Sequence, residues 1–286
     1  FVIVCNSWAW WATFKEPFQP FSFLKIIQIS IMAQAIQLIT PYIAQAGELL
    51  KIHLLRAAGV PADIGIASVV SAKTTIILTE LLFIGIGLFL LPQFLSFDSS
   101  LLTSLTIGLV AISLLLTGLI IWQRMGLFRP VIWVGRRLNM LTAVIDRHEG
   151  ILSSTDGILK DFLKKPHRFW MSSLWHFLGW SGGAGEAWLF LVLLGVSPDL
   201  ISAMLVQIWL MIVNRLTSFV PANLGTQEAG VMAVFAFLGL TPEQALAFAL
   251  LRRIRQAGWI GLGLALLGIF PANKSGSPFR ASTSAM

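Results

Sequence analysis

Apolar residues run through this chain in long blocks, separated by short polar breaks, and the blocks have helical rather than strand length. Residues 1–14 read as the end of a membrane segment with a belt of Trp8, Trp10 and Trp11. An apolar stretch from Phe23 to about Ile39 is diluted by Gln28, Gln34 and Gln37, then interrupted at Pro41. A short helix carrying Glu48 and Lys51 follows. Residues 64–91 form a long span containing Lys73 and Glu80, and residues 101–122 form a second. Further segments are expected at 169–194 and about 199–219. Pro221 then opens a second interruption, with a short helix from Glu228, a turn at Gly239–Pro242 and a last stretch at 243–270. Several of these runs exceed the roughly 20 residues a helix needs to cross hydrocarbon. The expected fold is therefore all-α, a polytopic helical membrane protein with broken or re-entrant helices. Such interrupted backbone survives at membrane depth only where protein or water covers it.

Composition sharpens this pattern. The 286 residues are 56% hydrophobic and 12% charged, with a mean hydropathy of +0.82, against about 25% charged in ordinary globular domains. A soluble enzyme, a disulfide scaffold and a disordered protein are excluded. One cysteine, Cys5, leaves no intrachain disulfide and no CxxC metal site. Phe1 opens the chain inside apolar sequence, so a start or a first membrane segment is expected upstream. No cleavable signal peptide is visible.

The net charge of +7 does not mark nucleic-acid binding, because the excess sits in one block. Residues 123–168 hold nine Lys or Arg and four Asp or Glu, with Leu138, Leu141, Ile145 and Leu152 at roughly helical spacing. This block is expected to form amphipathic helices on the cytoplasmic surface. The loops 92–100 and 195–199 contain no Lys or Arg and face away from the cytoplasm under the positive-inside rule. Lys274 and Arg280 fit less well if 243–270 crosses once outward. The tail 271–286, rich in Ser, Ala, Pro and Gly, is expected to be disordered.

Two stretches share landmarks at a constant offset of 180 residues: Pro41 with Pro221, Glu48 with Glu228, Gly59 with Gly239, Asp63 with Glu243, and Lys73 with Arg253. Each copy places a proline break, a carboxylate and then a cation in the following segment, which points to an internal repeat. Transporters are often built from repeats whose broken helices meet near the bilayer centre at the substrate site. Charge counting puts both motifs on the same side and favours parallel copies; an odd crossing hidden in either would reverse that.

Lys73, Glu80, Glu186, Arg215, Glu228, Arg252, Arg253 and Arg255 all fall in or beside apolar segments. Each would cost about 2.5–3.5 kcal/mol facing lipid at a helix centre, so they snorkel, pair, or line a wet cavity. A structural ion-pair network and a polar transport cavity are the two readings. Arginine and lysine clusters suit a phosphate head group, with Glu48 and Glu228 serving an amine or holding the cations. The loop at Asn223–Gln227 adds amide donors at a re-entrant tip. His176 beside Ser172 and Ser173 suggests a hydrolase, but no GxSxG elbow is present and no HExxH or paired metal spacing. Gly179, Gly182, Gly183 and Gly185 form a small-residue stripe that ends at Glu186.

At these residues the chain resembles a known family. Phe219–Gly230, then Leu238-Gly239-Leu240 and Leu250–Arg253, look like the lysylphosphatidylglycerol synthase transmembrane family, the flippase half of bacterial multiple-peptide-resistance proteins. Pro41 with Gly47-Glu48, the Gly59-Val60-Pro61 turn, and Ala67–Val70 followed by Lys73 match its first half. Trp175–Trp180 with Glu186 is closer still to the subfamily associated with hopanoid biosynthesis. The resemblance runs from about residue 8 to 268. It departs at Ala46-Gly47 and Ala222-Asn223, where the family has two glycines, and at Lys51, where it has arginine.

The resemblance implies a lipid-translocating domain of the bacterial inner membrane, residues 1–270, without the synthase chemistry and without a cofactor. Its expected partners are membrane lipids, anionic or zwitterionic phospholipid or hopanoid, and not nucleic acid; lipid-synthesis enzymes and a second copy of the chain are further candidates. The site expected to bind and move lipid comprises Pro41, Glu48, Lys51, Lys73, Glu80, Glu186, Arg215, Pro221, Asn223, Gln227, Glu228, Arg252 and Arg253. A lipid-modifying enzyme using His176 or Glu186, and a scaffold recruiting enzymes through 123–168, are the alternatives. No GxxxxGK[ST] loop is present, so movement is passive, ion-coupled or partner-driven.

Overall fold

The structure is a computed structural model that describes residues 1–14, 22–40, 45–90, 99–126, 128–137, 142–220 and 223–270. The expected breaks at Pro41 and Pro221, the centre of the 92–100 loop and the tail 271–286 lie outside the described residues. Among the described residues all regular structure is helical. The helices are α1 (Val2–Trp11), α2 (Phe23–Ile39), α3 (Ala46–Ala57), α4 (Ala62–Leu90), α5 (Ser99–Met125), α6 (Phe128–Arg137), α7 (Thr142–Lys164), α8 (Pro166–Leu193), α9 (Leu200–Leu216), α10 (Thr226–Phe237) and α11 (Pro242–Ile269). Among the described helices, only α4, over 62–89, is both long enough and apolar enough throughout to meet a strict membrane-span criterion.

The helix ends follow local chemistry. Proline opens α8 and α11 at their first turns, where its missing N–H costs nothing. Thr241 and Gln244 close a reciprocal capping box at the start of α11. The short helix expected from Glu228 begins two residues earlier, at Thr226, because the Glu228 carboxylate reaches back to the Gly225 N–H at 2.9 Å. The basic block forms two helices, α6 and α7, joined where Asp156 accepts the Phe128 N–H at 3.1 Å.

The offset of 180 residues holds in the backbone. α3 and α10 share it at both ends, and α4 and α11 share it at their starts. Gly59 and Gly239 both take positive φ, 92° and 71°. Each ends its helix with the same bonds: Val60 N–H to Leu55 O and Leu240 N–H to Phe235 O. A left-handed residue just past a helix end is where glycine removes the Cβ penalty.

Three apolar clusters order the ends of these helices. One joins Trp10 and Phe14, Ile26 and Ile29 of α2, Leu54 and Leu55 of α3, and Val60 and Val69, with Leu266 and Phe270 from the end of α11 packed on it. A second, at the opposite end, joins Leu191 of α8, Ala203 and Val206 of α9, Val234 and Phe235 of α10, and Ala245 and Phe248 from the start of α11. In the third, Phe83 of α4 meets Ile208 and Met211 of α9 and Ala184 of α8.

Thus α4 leaves the first end and α11 returns to it. α2 and α3 form an antiparallel hairpin rooted at the first end, with Gly47 against Ala33 and Gln37 at its inner tip. α9 and α10 form another, rooted at the second end, with Trp209 Nε1 donating to Gly230 O at 2.8 Å. The expectation that both motifs lie on one side is therefore corrected. Charge counting takes 199–219 as a full crossing, whereas α9 and α10 form a hairpin that turns back to the end where α9 begins.

Beside its apolar clusters the bundle also buries polar side chains, and it exposes large apolar ones. Ser7, Ser68, Ser71, Thr75, Thr79, Glu80, Ser172, Ser173 and His176 are buried, while Leu82, Phe89, Leu114, Leu193, Leu216 and Phe219 are exposed. Extended exposed apolar surface marks contact with lipid or protein rather than water.

Candidate functional site

Glu48 and Glu228 are each the third residue of a short helix, α3 and α10. These 12-residue helices are about 18 Å long, well short of a roughly 30 Å hydrocarbon core. Their N-termini form the inner tips of the hairpins, and a carboxylate there is favoured by unpaired N–H groups and the helix dipole. Lys73 and Arg253 sit at the matching position along α4 and α11, opposite those tips.

The two carboxylates are held differently. Glu48 lies between two ammonium groups, 3.0 Å from Lys51 Nζ and 3.5 Å from Lys73 Nζ. Lys51 also stands over the Trp10 ring, 5.0 Å from its centroid, a cation–π contact. Glu228 takes a two-pronged grip from Arg253: Nε at 2.6 Å and Nη2 at 3.1 Å. Arg253 further donates to Asn223 O at 2.9 Å and to Gln256 Oε1 at 3.1 Å. This tip is a closed polar network, in which Asn223 Oδ1 also accepts from the Thr217 hydroxyl at 3.3 Å.

Two further ion pairs join distant elements. Arg215 at the tip of α9 grips Glu80 of α4 through both oxygens, with Nε at 2.7 Å from Oε1. Arg255 of α11 bonds Glu186 of α8. Arg252, one turn along, is close enough to Arg253, Arg255 and Glu186 to feel their charges. Its Nε is buried without a hydrogen-bond partner among the described residues. Gln227 is buried at the second tip.

The expected site residues therefore do not meet in one pocket. Glu48, Lys51 and Lys73 line a cavity of about 220 Å³ at the first tip. Glu228, Arg253 and Asn223 form the second tip, and Glu80–Arg215 and Glu186–Arg255 are separate ties. The expected positions at Pro41 and Pro221 fall outside the described residues.

The cavity brings in residues that sequence reasoning did not place at the site: Asn6 of α1, Ser30, Gln34 and Gln37 of α2, and Trp10. The glutamines signalled this as polar interruptions of an apolar stretch. Asn6 gave no comparable signal, because its role depends on α1 packing against α8. His176 lines the same cavity, with Nδ1 3.0 Å from Asn6 Oδ1. It does not bond the nearby serines: Ser172 pairs with Thr75 at 2.8 Å. Among the described residues no group of three or more His, Cys, Asp or Glu side chains gathers as a metal site.

No curated protein and no solved structure matches the chain. The family model described as the lysylphosphatidylglycerol synthase TM region does match, over residues 1–265. A family defined by a transmembrane region agrees with a molecule that exposes many large apolar side chains and buries Glu80, Ser172 and His176. The chain belongs to the lysylphosphatidylglycerol synthase transmembrane-region family, membrane proteins of lipid metabolism or transport.

Proposed function

We propose that this protein is a lipid flippase of the bacterial inner membrane, crossing it several times and moving lipid without altering it covalently. The observation that carries this reading is the charged cavity at the inner tip of the α2–α3 hairpin. It opens to one side between helices of a bundle whose surface carries many large apolar side chains. A lipid head group in that cavity keeps its charge among polar partners while its tails remain outside the bundle.

With α6 and α7 on the cytoplasmic surface, the first end of the molecule is cytoplasmic. Ser154 of α7 donates to Asp63 at the start of α4, which ties α7 to that end. The α2–α3 hairpin then enters from the cytoplasm and α9–α10 from the other side. α1–α4 and α8–α11 become inverted copies, the arrangement that supports alternating access. α11 returns to the cytoplasmic end, so Lys274 and Arg280 follow it there and agree with the positive-inside rule.

Glu48, Lys51 and Lys73 take the head group; Glu228, Arg253, Asn223 and Gln227 form the matching gate at the second tip. Glu80–Arg215 and Glu186–Arg255 hold the two halves together beside Arg252. Similarity of Trp175–Trp180 and Glu186 to the hopanoid-associated subfamily keeps hopanoids among the candidate cargoes.

The test is purified protein in liposomes bearing trace fluorescent lipid, with a membrane-impermeant reductant added outside. Transport exposes inner-leaflet lipid and drives quenching beyond the outer leaflet. No extra quenching relative to empty vesicles, across phospholipid, aminoacyl-phospholipid and hopanoid, overturns the reading.

A further inference from the structure

We infer that the cavity at the α2–α3 tip selects a lipid head carrying a phosphate anion and otherwise uncharged, hydroxylated groups, and rejects heads that carry a free amine. This deepens the transport reading and rests on it.

The balance of charge and of hydrogen-bond donors at the tip favours an anion. Among the described residues, the hairpin tips and helix middles of α3, α4 and α8–α11 carry six cations: Lys51, Lys73, Arg215, Arg252, Arg253 and Arg255. They carry four carboxylates: Glu48, Glu80, Glu186 and Glu228. Each carboxylate already has a cationic partner: Lys51 and Lys73, Arg215, Arg255 and Arg253 respectively. An incoming ammonium finds no free carboxylate there. Its charge would add to a cluster in which two lysines already outnumber the single carboxylate of Glu48.

An anion meets the opposite situation. Glu48 with Lys51 and Lys73 sums to one positive charge. Lys73 stands 3.5 Å from its carboxylate, longer than the roughly 2.7–2.9 Å of a full charge-assisted bond. A phosphate oxygen can therefore enter its coordination without breaking a tight pair. Lys51 is steadied by Glu48 and by the Trp10 face.

The neutral lining points the same way. Gln37 Oε1 is committed to the Gly47 N–H at 3.0 Å and Asn6 Oδ1 to His176 at 3.0 Å. Each amide also carries an NH2 group, a donor. Lys51, Lys73, Asn6 and Gln37 thus bring two ammonium groups and two amide side chains to the lining, all able to donate to phosphate oxygens. Ser30 and Gln34 complete the lining for hydroxyl groups.

The experiment uses the full chain in phosphatidylcholine vesicles with trace acyl-labelled phosphatidylglycerol, phosphatidylethanolamine or lysylphosphatidylglycerol, each assayed alone. Phosphatidylglycerol is expected to move at least about tenfold faster than the two amine-bearing lipids, since like-charge juxtaposition suppresses wrong partners. Lys73→Gln should slow phosphatidylglycerol by about tenfold while Lys73→Arg keeps most of the rate, because the Arg variant retains the charge. Both variants are checked for an unchanged size-exclusion profile; if Lys73→Gln aggregates, Lys51→Gln carries the same expectation.

Amine-bearing lipids moving as fast as phosphatidylglycerol, or neutralised lysines leaving its rate unchanged, overturn this inference and leave the transport reading standing. If none of these lipids moves, this inference fails; if hopanoid does not move either, the transport reading fails with it. Radiolabelled inorganic phosphate is offered to the same vesicles: accumulation inside without lipid movement assigns the anion site to free phosphate and overturns the lipid assignment.

Discussion

The α2–α3 and α9–α10 hairpins carry equivalent carboxylates at their inner tips, yet one tip is loose and the other locked. At the first, Glu48 is shared by two lysines and the surrounding space is a cavity. At the second, Arg253 occupies both oxygens of Glu228 and the loop carbonyl of Asn223. The substitution of lysine by arginine at matched positions explains much of this. A guanidinium offers a fixed fork that closes on a carboxylate, whereas an ammonium is a point charge on a flexible stem. The backbone contacts differ as well. α3 approaches α2 through Gly47 lying on the Ala33 carbonyl, whereas the equivalent position in α10 is Gln227. One hairpin is thus tightly packed in its backbone and open at its charges, and the other is the reverse.

The largest effect should come from that backbone contact. Gly47→Ala would place its Cβ 2.5 Å from Ala33 O and 3.0 Å from Gln37 Cβ. It should destabilise the protein by about 3 kcal/mol, the upper range for overpacking. In the other hairpin, Gly230→Ala meets only the Val213 side chain, at 2.9 Å, and should cost about 1 kcal/mol as that rotamer shifts. Thermal unfolding in detergent, followed by tryptophan fluorescence, compares them. Equal losses would show that the two hairpins are packed alike.

Next in size is the coupling within each ion pair. Double-mutant cycles with alanine should give about 2 kcal/mol for Glu228 with Arg253 and about 1 kcal/mol or less for Glu48 with Lys73. A larger coupling at the first tip would remove the distinction between loose and locked.

The smallest contrast lies at the roots of the hairpins. Asp199 caps α9, accepting the Ser202 N–H at 2.7 Å, while Ser22 caps α2 without a side-chain bond. Asp199→Ala should cost about 1 kcal/mol, and Ser22→Ala less than about 0.5 kcal/mol. Hydrogen bonds from Ser202 hold the Asp199 carboxyl below the usual aspartate value. Its contribution is therefore present above the ordinary aspartate pKa and lost as pH falls through the lowered one. Unfolding midpoints of wild type and Asp199→Ala should converge in acid; a constant gap from neutral to acid pH would refute that origin.

Much of the helix pattern was legible in the chain. Segments at 23–39, 64–91 and 169–194 were readable because an apolar run and the polar residues ending it are local properties. The 180-residue spacing was readable for the same reason, since Gly59 and Gly239 end their helices through bonds within a few residues. The site was legible only as an inventory. Glu48, Lys73, Glu228 and Arg253 stood out as charges in apolar surroundings, but their division into two pairs did not. Asn6 and Gln37 are held at the cavity by bonds to His176 and Gly47, which lie on other helices.

From sequence alone came an all-helical chain with ionisable groups spaced along apolar segments, because composition and periodicity act over one or two helical turns. Only the tertiary structure decided that α11 runs back along α2 and that the two tips face opposite ends. Direction and pairing depend on which distant faces fit together, and no short window of residues contains that information.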